Sequence, residues 1–185
     1  SPLIIIQILI IYFAGELVWK EREAGLDKIS DTMPVSEWAL FVGKFLGLAL
    51  IIVVWLGFLL LAGIIIPVTM SYDNIEVGVL LKALFGFQLT NYLLFALLVL
   101  VVHVLVNQKY LGHLVILIVY LAMVFAAKIG IEHNLLIYAS DPGWSYTDMR
   151  GFEPYLWPWL WFKFYWAGWS ILLAEGARLF WVRSM

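Results

Sequence analysis

The side chains able to do chemistry in this 185-residue chain are few, and most are crowded into one place. Residues 16–37 read ELVWKEREAGLDKISDTMPVSE, the one dense run of charge, and Gly43-Lys44 follows shortly after. Elsewhere the candidates are isolated. His103 and His113 flank a short turn and can approach each other, but two imidazoles without a third ligand make a poor metal site. Beside Lys109 they read more simply as part of a solvated turn. His133, next to Glu132 and Asn134, is no better placed, and no metal is expected. Gln88 and Asn91 lie one turn apart on a single helical face. They can line a path through a membrane or hydrogen-bond a neighbouring helix. Glu175 and Arg178, three apart, read as a local ion pair. The chain has no Cys, so disulfides and thiolate metal sites are excluded. It also lacks G-x-x-x-x-G-K-[ST], the phosphate loop that binds ATP, and His-Glu-x-x-His, which sets two imidazoles and a general base on one helical face. The expected chemistry is therefore mechanical, and no catalytic residue and no enzyme activity are assigned.

The elements that must position these residues follow from composition. Hydrophobic residues make up 64% of the chain and charged residues 13%, whereas soluble domains are about 45–50% apolar and about 25% charged. The chain reads as an all-α, polytopic helical membrane bundle, because the apolar runs lack period-2 alternation and open sheet edges cannot face lipid. A formal net charge of -2 gives no footprint for nucleic acid, which needs clustered Lys and Arg. The bilayer is the expected partner, with ten Trp and nine Tyr to sit at its interfaces.

A spanning helix needs about 20 apolar residues, and five spans are expected: 2–14, which looks clipped, then 38–67, 80–106, 111–131 and 157–182. Lys20, Arg22, Lys28 and Lys44 flank the first connection, Lys109 the third, and Arg178 and Arg183 the carboxyl end. The bias of Lys and Arg sets topology, so these three regions are expected in the cytosol. The loops at 69–76 and 132–156, richer in acids and aromatics, are expected outside, with Lys82, Lys128 and Lys163 snorkelling from span ends. Residues 1–185 thus form one domain: five spans of a six-helix unit, with an outside start that implies a missing first helix. Ser1-Pro2 leads directly into apolar sequence, and the chain reads as a piece of something longer.

Within the charged run, Trp19, Leu26, Ile29 and Met33 recur at helical spacing, opposite Lys20, Glu23, Asp27, Lys28 and Asp31. The pattern predicts an amphipathic surface helix. Gly25 interrupts it, Pro34 ends it, and Ser36 caps the next helix.

The order of these residues resembles a known family. Glu21-Arg22-Glu23, Gly25, Met33-Pro34-Val35-Ser36 and Gly43-Lys44 are similar, in identity and spacing, to the segment after the second helix of type-2 ATP-binding-cassette permeases. In that family a Glu-Arg-Glu-x-Gly-Thr start, a Thr-Pro-Val-Ser turn and a Gly-Lys pair frame the coupling helix. Leu26 and Met33 stand where the family pattern has Thr. The resemblance implies an exporter permease in a bacterial inner membrane, with Glu21, Arg22, Glu23, Gly25, Leu26, Ile29, Met33, Pro34 and Lys44 in ATPase coupling. It also implies a cytosolic ATP-binding subunit that carries ATP and magnesium, and a second permease half, identical or not. A narrower likeness lies in Tyr146 to Phe152 and Trp161 to Trp166, which look like the last outer loop and final helix of bacterial permeases fused to a zinc aminopeptidase. That likeness places a peptidase beyond Met185 and leaves an alternative, a membrane anchor for an attached peptidase that moves nothing.

Overall fold

The computed structural model describes residues 2–25, 36–71 and 75–180. Its described residues form five main helices and no strand. They are α1 (Pro2–Glu23), α2 (Glu37–Thr69), α3 (Val77–Val106), α4 (Lys109–Val124) and α5 (Glu153–Leu179). Successive helices run up and down, so one end gathers the connections after α1 and α3, and the other end those after α2 and α4. The chain is an all-α helical membrane bundle. Two helices, α2 and α3, are long and apolar enough to cross a bilayer on length and composition, and α4 is a shorter apolar helix.

Helix α3 is the hub, packing against each of the other four helices. Half of its apolar window is buried, against 11% for α2, and its buried residues, which include Leu94, Phe95, Ala96, Val99, Leu100 and Val101, fall on all sides. A helix apolar all round can only be central or face lipid. The surrounding helices each offer α3 or one another a narrow stripe at i, i+3 and i+4 spacing. Helix α1 buries Ile6, Ile10, Ala14 and Val18; α2 buries Leu48, Ile52 and Leu56; α5 buries Trp159, Lys163, Trp166, Ser170, Ala174 and Ala177. The remaining face of α2, including Leu46, Leu50, Val54 and Phe58, is exposed, as a lipid-facing surface would be.

Several boundaries differ from the sequence-based expectation. The first helix does not stop at Ala14 but continues through Gly15 to Glu23, so the first third of the charged run is the end of that helix. Gly25, at φ 68°, then turns the chain in the left-handed region that Gly adopts without steric cost. Ser36 caps α2 as expected, its Oγ accepting from Ala39 N at 3.2 Å. Helix α3 carries a π-helical segment at Lys82–Gln88, which no periodicity in the sequence announced. Helix α4 ends at Val124 and a 3-10 turn, Ala126–Ile129, follows, so the expected span to Ile131 is shorter. Helix α5 begins at Glu153 with Pro in its first turn, where a missing N–H costs nothing.

The connection between α4 and α5 folds back onto the bundle. Lys163 does not snorkel to the surface: it is buried, its Nζ donating to Ala139 O at 2.6 Å and pairing with Asp141 Oδ2 at 2.7 Å. Asp141 Oδ1 also accepts from Gly143 N at 2.9 Å, closing the turn at Asp141-Pro142-Gly143. The Tyr138 hydroxyl donates to Leu94 O on α3 at 2.9 Å and lies 2.6 Å from Ser170 Oγ on α5. Burial pushes this phenol up to about 12, so it remains an O–H donor at any physiological pH. Removing one member of a buried pair strands the other charge, at a cost of about 3–5 kcal/mol. Lys163→Ala should therefore lower the thermal midpoint of the detergent-solubilised protein sharply. Lys163→Met with Asp141→Leu, which removes both charges, should recover most of the loss.

Candidate functional site

The charged end of α1 is built into the bundle. At its base, α1, α3 and α4 approach closely through two glycines, each occupied by an imidazole. A Cβ on Gly15 would lie 2.2 Å from His113 Cε1, and one on Gly112 would lie 2.5 Å from His103 Nδ1. The two rings meet edge to face at 4.8 Å. His103 is wholly buried, which corrects the solvated-turn reading. Its Nδ1 accepts from Trp19 Nε1 at 3.3 Å, so the hydrogen of the neutral ring is on Nε2. The hydrogen of His113 is fixed on Nδ1, 2.8 Å from Lys109 O, because a carbonyl can only accept. Farther along the same three helices, Tyr120 on α4 donates to Gln7 on α1 at 2.7 Å.

Above this base the charges pair between helices. Lys44 of α2 reaches back to α1, bonding the Glu21 carboxylate and donating to Leu17 O at 3.2 Å. Lys109, at the start of α4, lies 3.0 Å from Glu16 and 3.2 Å from Glu23. Arg22 donates to Asn107 Oδ1 at 2.6 Å and covers the Trp19 ring at 4.8 Å. Asn107 sits between α3 and α4 at φ 48°, a left-handed position that Asn tolerates better than most residues. The Glu21 and Glu23 side chains are half exposed or more, so each pair alone contributes only tenths of a kcal/mol to about 1 kcal/mol. Their effect is collective. They tie the last turns of α1 to α2 on one side and to the α3–α4 turn on the other.

Of the residues singled out from sequence, the structure thus brings together Glu21, Arg22, Glu23 and Lys44, and sets Gly25 at the turn just beyond. Leu26, Ile29, Met33 and Pro34 lie outside the described residues. Gln88 and Asn91 are elsewhere: they sit where the π segment of α3 gives way to α-helix, about 18 to 22 Å along α3 from His103 at about 1.5 Å per residue. Asn91 Oδ1 is buried with no hydrogen-bond partner among the described residues. Glu175 and Arg178 form the expected pair at 3.1 Å. Sequence reading missed Gln7, Trp19 as a donor, Asn107 and the double role of Lys109. Only Asn107 left a local signal, an Asn followed by Gln-Lys at a helix end.

The described residues thus form a helical membrane bundle whose first helix ends in charges paired to the helices around it. A family model described as "ABC-2 family transporter protein" matches residues 1–124, which include α1 to α4 and the entire charged segment. The chain belongs to that family, and it is a membrane-embedded permease component of an ATP-binding-cassette transporter. Family membership implies association with an ATP-binding subunit, and permease domains of this kind are generally not catalytic. Comparisons with curated proteins and with solved structures gave no match.

The packing at the base has a direct test. Gly15→Ala should cost about 1–3 kcal/mol by overpacking against the fixed His113 ring, read as a lowered unfolding midpoint. His113→Ala makes room for the new methyl group, so the double variant should be more stable than the two single losses added together.

Proposed function

We propose that residues 16–37 are the element through which a cytosolic ATP-binding subunit drives this permease, in an exporter of the bacterial inner membrane. The observation that carries this reading is the brace at the root of the segment. Glu21 with Lys44, Lys109 with Glu16 and Glu23, and Arg22 with Asn107 join α1 to α2 and to the α3–α4 turn. A push on the segment would therefore be shared by four helices at once. Small displacements at such a point become rigid-body tilts because packed cores do not deform continuously.

In this reading the partner subunit binds ATP and magnesium, and this chain binds neither. Closure of the ATPase dimer presses on Leu26, Ile29 and Met33, with Gly25 and Pro34 marking the limits of the contact. The brace passes the displacement into the spans, and a second permease half, identical or different, completes the path. The charged segment and the carboxyl end face the cytosol. Gln88 and Asn91, polar within an apolar helix, are candidates to line the path, and Asn91 Oδ1, which has no partner among the described residues, supports that use over hydrogen bonding between helices.

The test is ATPase stimulation in reconstituted membranes containing the ATP-binding subunit. Leu26→Asp and Met33→Asp should lower permease-stimulated hydrolysis about tenfold, within the usual span of coupling energies, and weaken co-purification of the subunit while leaving membrane insertion intact. Lys44→Glu should uncouple partially, and Glu21→Lys in the same chain should restore coupling. If the chain is instead a membrane anchor for an attached peptidase, none of these substitutions will change nucleotide hydrolysis, and the coupling reading fails.

A further inference from the structure

The end of the bundle opposite the brace holds a cleft that the coupling reading does not use. It lies between the start of α3 and the start of α5, beneath the turn closed by the Thr147–Gly151 bridge, and encloses about 710 Å³. Its floor is apolar and aromatic, formed by Phe87, Leu156 and Trp159, with Phe87 packed against Trp159 at 4.8 Å. Two cations, Lys82 and Arg150, line the same cleft and are exposed.

Two acids line the same cleft. Glu76 lies beside Tyr146 and holds that phenol above its ordinary value. Glu153 occupies the first turn of α5, where the positive end of the helix dipole favours a carboxylate. Among the described residues, neither Lys82 nor Arg150 has an acidic partner.

Three further observations bear on what the cleft takes. Trp159 is only 6% exposed, and its Nε1–H is buried with no acceptor among the described residues; an indole N–H in that position calls for one. The wall containing Lys82, Gly86 and Phe87 is the π-helical segment of α3, and π segments occur mostly as interruptions at functional sites. Trp157 and Trp161, flanking Trp159 on α5, are both exposed, as Trp is at the level of lipid headgroups. The cleft thus opens at headgroup depth, with an apolar floor below and the two cations at its rim.

We infer that this cleft binds an anionic phospholipid from the leaflet on that side. The phosphate sits between Lys82 and Arg150, a lipid oxygen accepts from Trp159 Nε1, and the upper acyl chain lies along Phe87 and Leu156. A free anion would satisfy the cations but leave the aromatic floor bare. A neutral lipid would cover the floor and leave the cations unpaired.

Native mass spectrometry of the full chain released from detergent micelles tests this with phosphatidylglycerol as the probe. One phosphatidylglycerol should be retained per chain. Lys82→Gln with Arg150→Gln should weaken its retention about thirtyfold, as expected for two interfacial cations, with helical content unchanged by circular dichroism. Arg150→Lys, which keeps the charge, should retain the lipid, and Trp159→Phe should weaken binding by several fold. Should the double variant fail to fold, Arg150→Gln alone makes the same comparison. Equal retention by wild type and the charge variant would overturn the proposal, as would equal retention of phosphatidylcholine. Displacement of the lipid by millimolar inorganic phosphate would also overturn it, since the site would then be one for a free anion.

Discussion

The bundle depends on the close approach of α1, α3 and α4 at Gly15 and Gly112. Helices in lipid gain little from hiding apolar surface, so their contacts must come from packing and from polar bonds made where water is absent. Here each missing Cβ is replaced by a neighbour's imidazole: His113 lies over Gly15, His103 over Gly112, and Trp19 locks the His103 ring. At these two positions there is no room for even a methyl group, so the helices are held in register. That rigidity is what gives the charges above it a mechanical meaning, because ion pairs can transmit displacement only if the elements they join move as bodies.

The two ends of the molecule manage polar groups differently. At the α1 end, Lys44, Lys109 and Arg22 pair with partners that remain partly or largely exposed, so the contacts are numerous, individually weak and open to rearrangement. At the opposite end the pairing is deep: Lys163 and Asp141 are nearly inaccessible, and Tyr138 threads a hydroxyl between α3 and α5. Buried pairs of this kind fix a unique arrangement more than they add stability. They hold the segment after α4 against the bundle, and with it the turn that roofs the cleft.

The sequence made some of this architecture legible for clear reasons. Apolar runs too long for strands required helices, Ser36 and Gly25 marked a start and a stop through their backbone preferences, and the order from Glu21 to Lys44 pointed to the family that the match over residues 1–124 shows. Other features were invisible. The π segment needs a single extra residue in one turn, which does not disturb an apolar pattern in a helix that is apolar on all sides. The continuation of α1 to Glu23 leaves no mark in hydropathy, because helical hydrogen bonding carries on unchanged as side chains leave the lipid. Lys163 was misplaced by a general rule, since Lys at a span end usually reaches for water; here a loop brings Asp141 to it instead.

Sequence by itself determined that this chain is a helical membrane protein with one charged connection of recognisable order, because lipid leaves the backbone almost no alternative to helix and because charges are too costly there to be scattered. Only the tertiary structure decided which of those charges meet. Lys44 finds Glu21 across 23 positions and Lys109 finds Glu23 across 86, and such pairings depend on how helices are rotated and brought together. That rotation is set by the narrow stripes packed around α3 and by two glycines whose importance lies entirely in what sits against them.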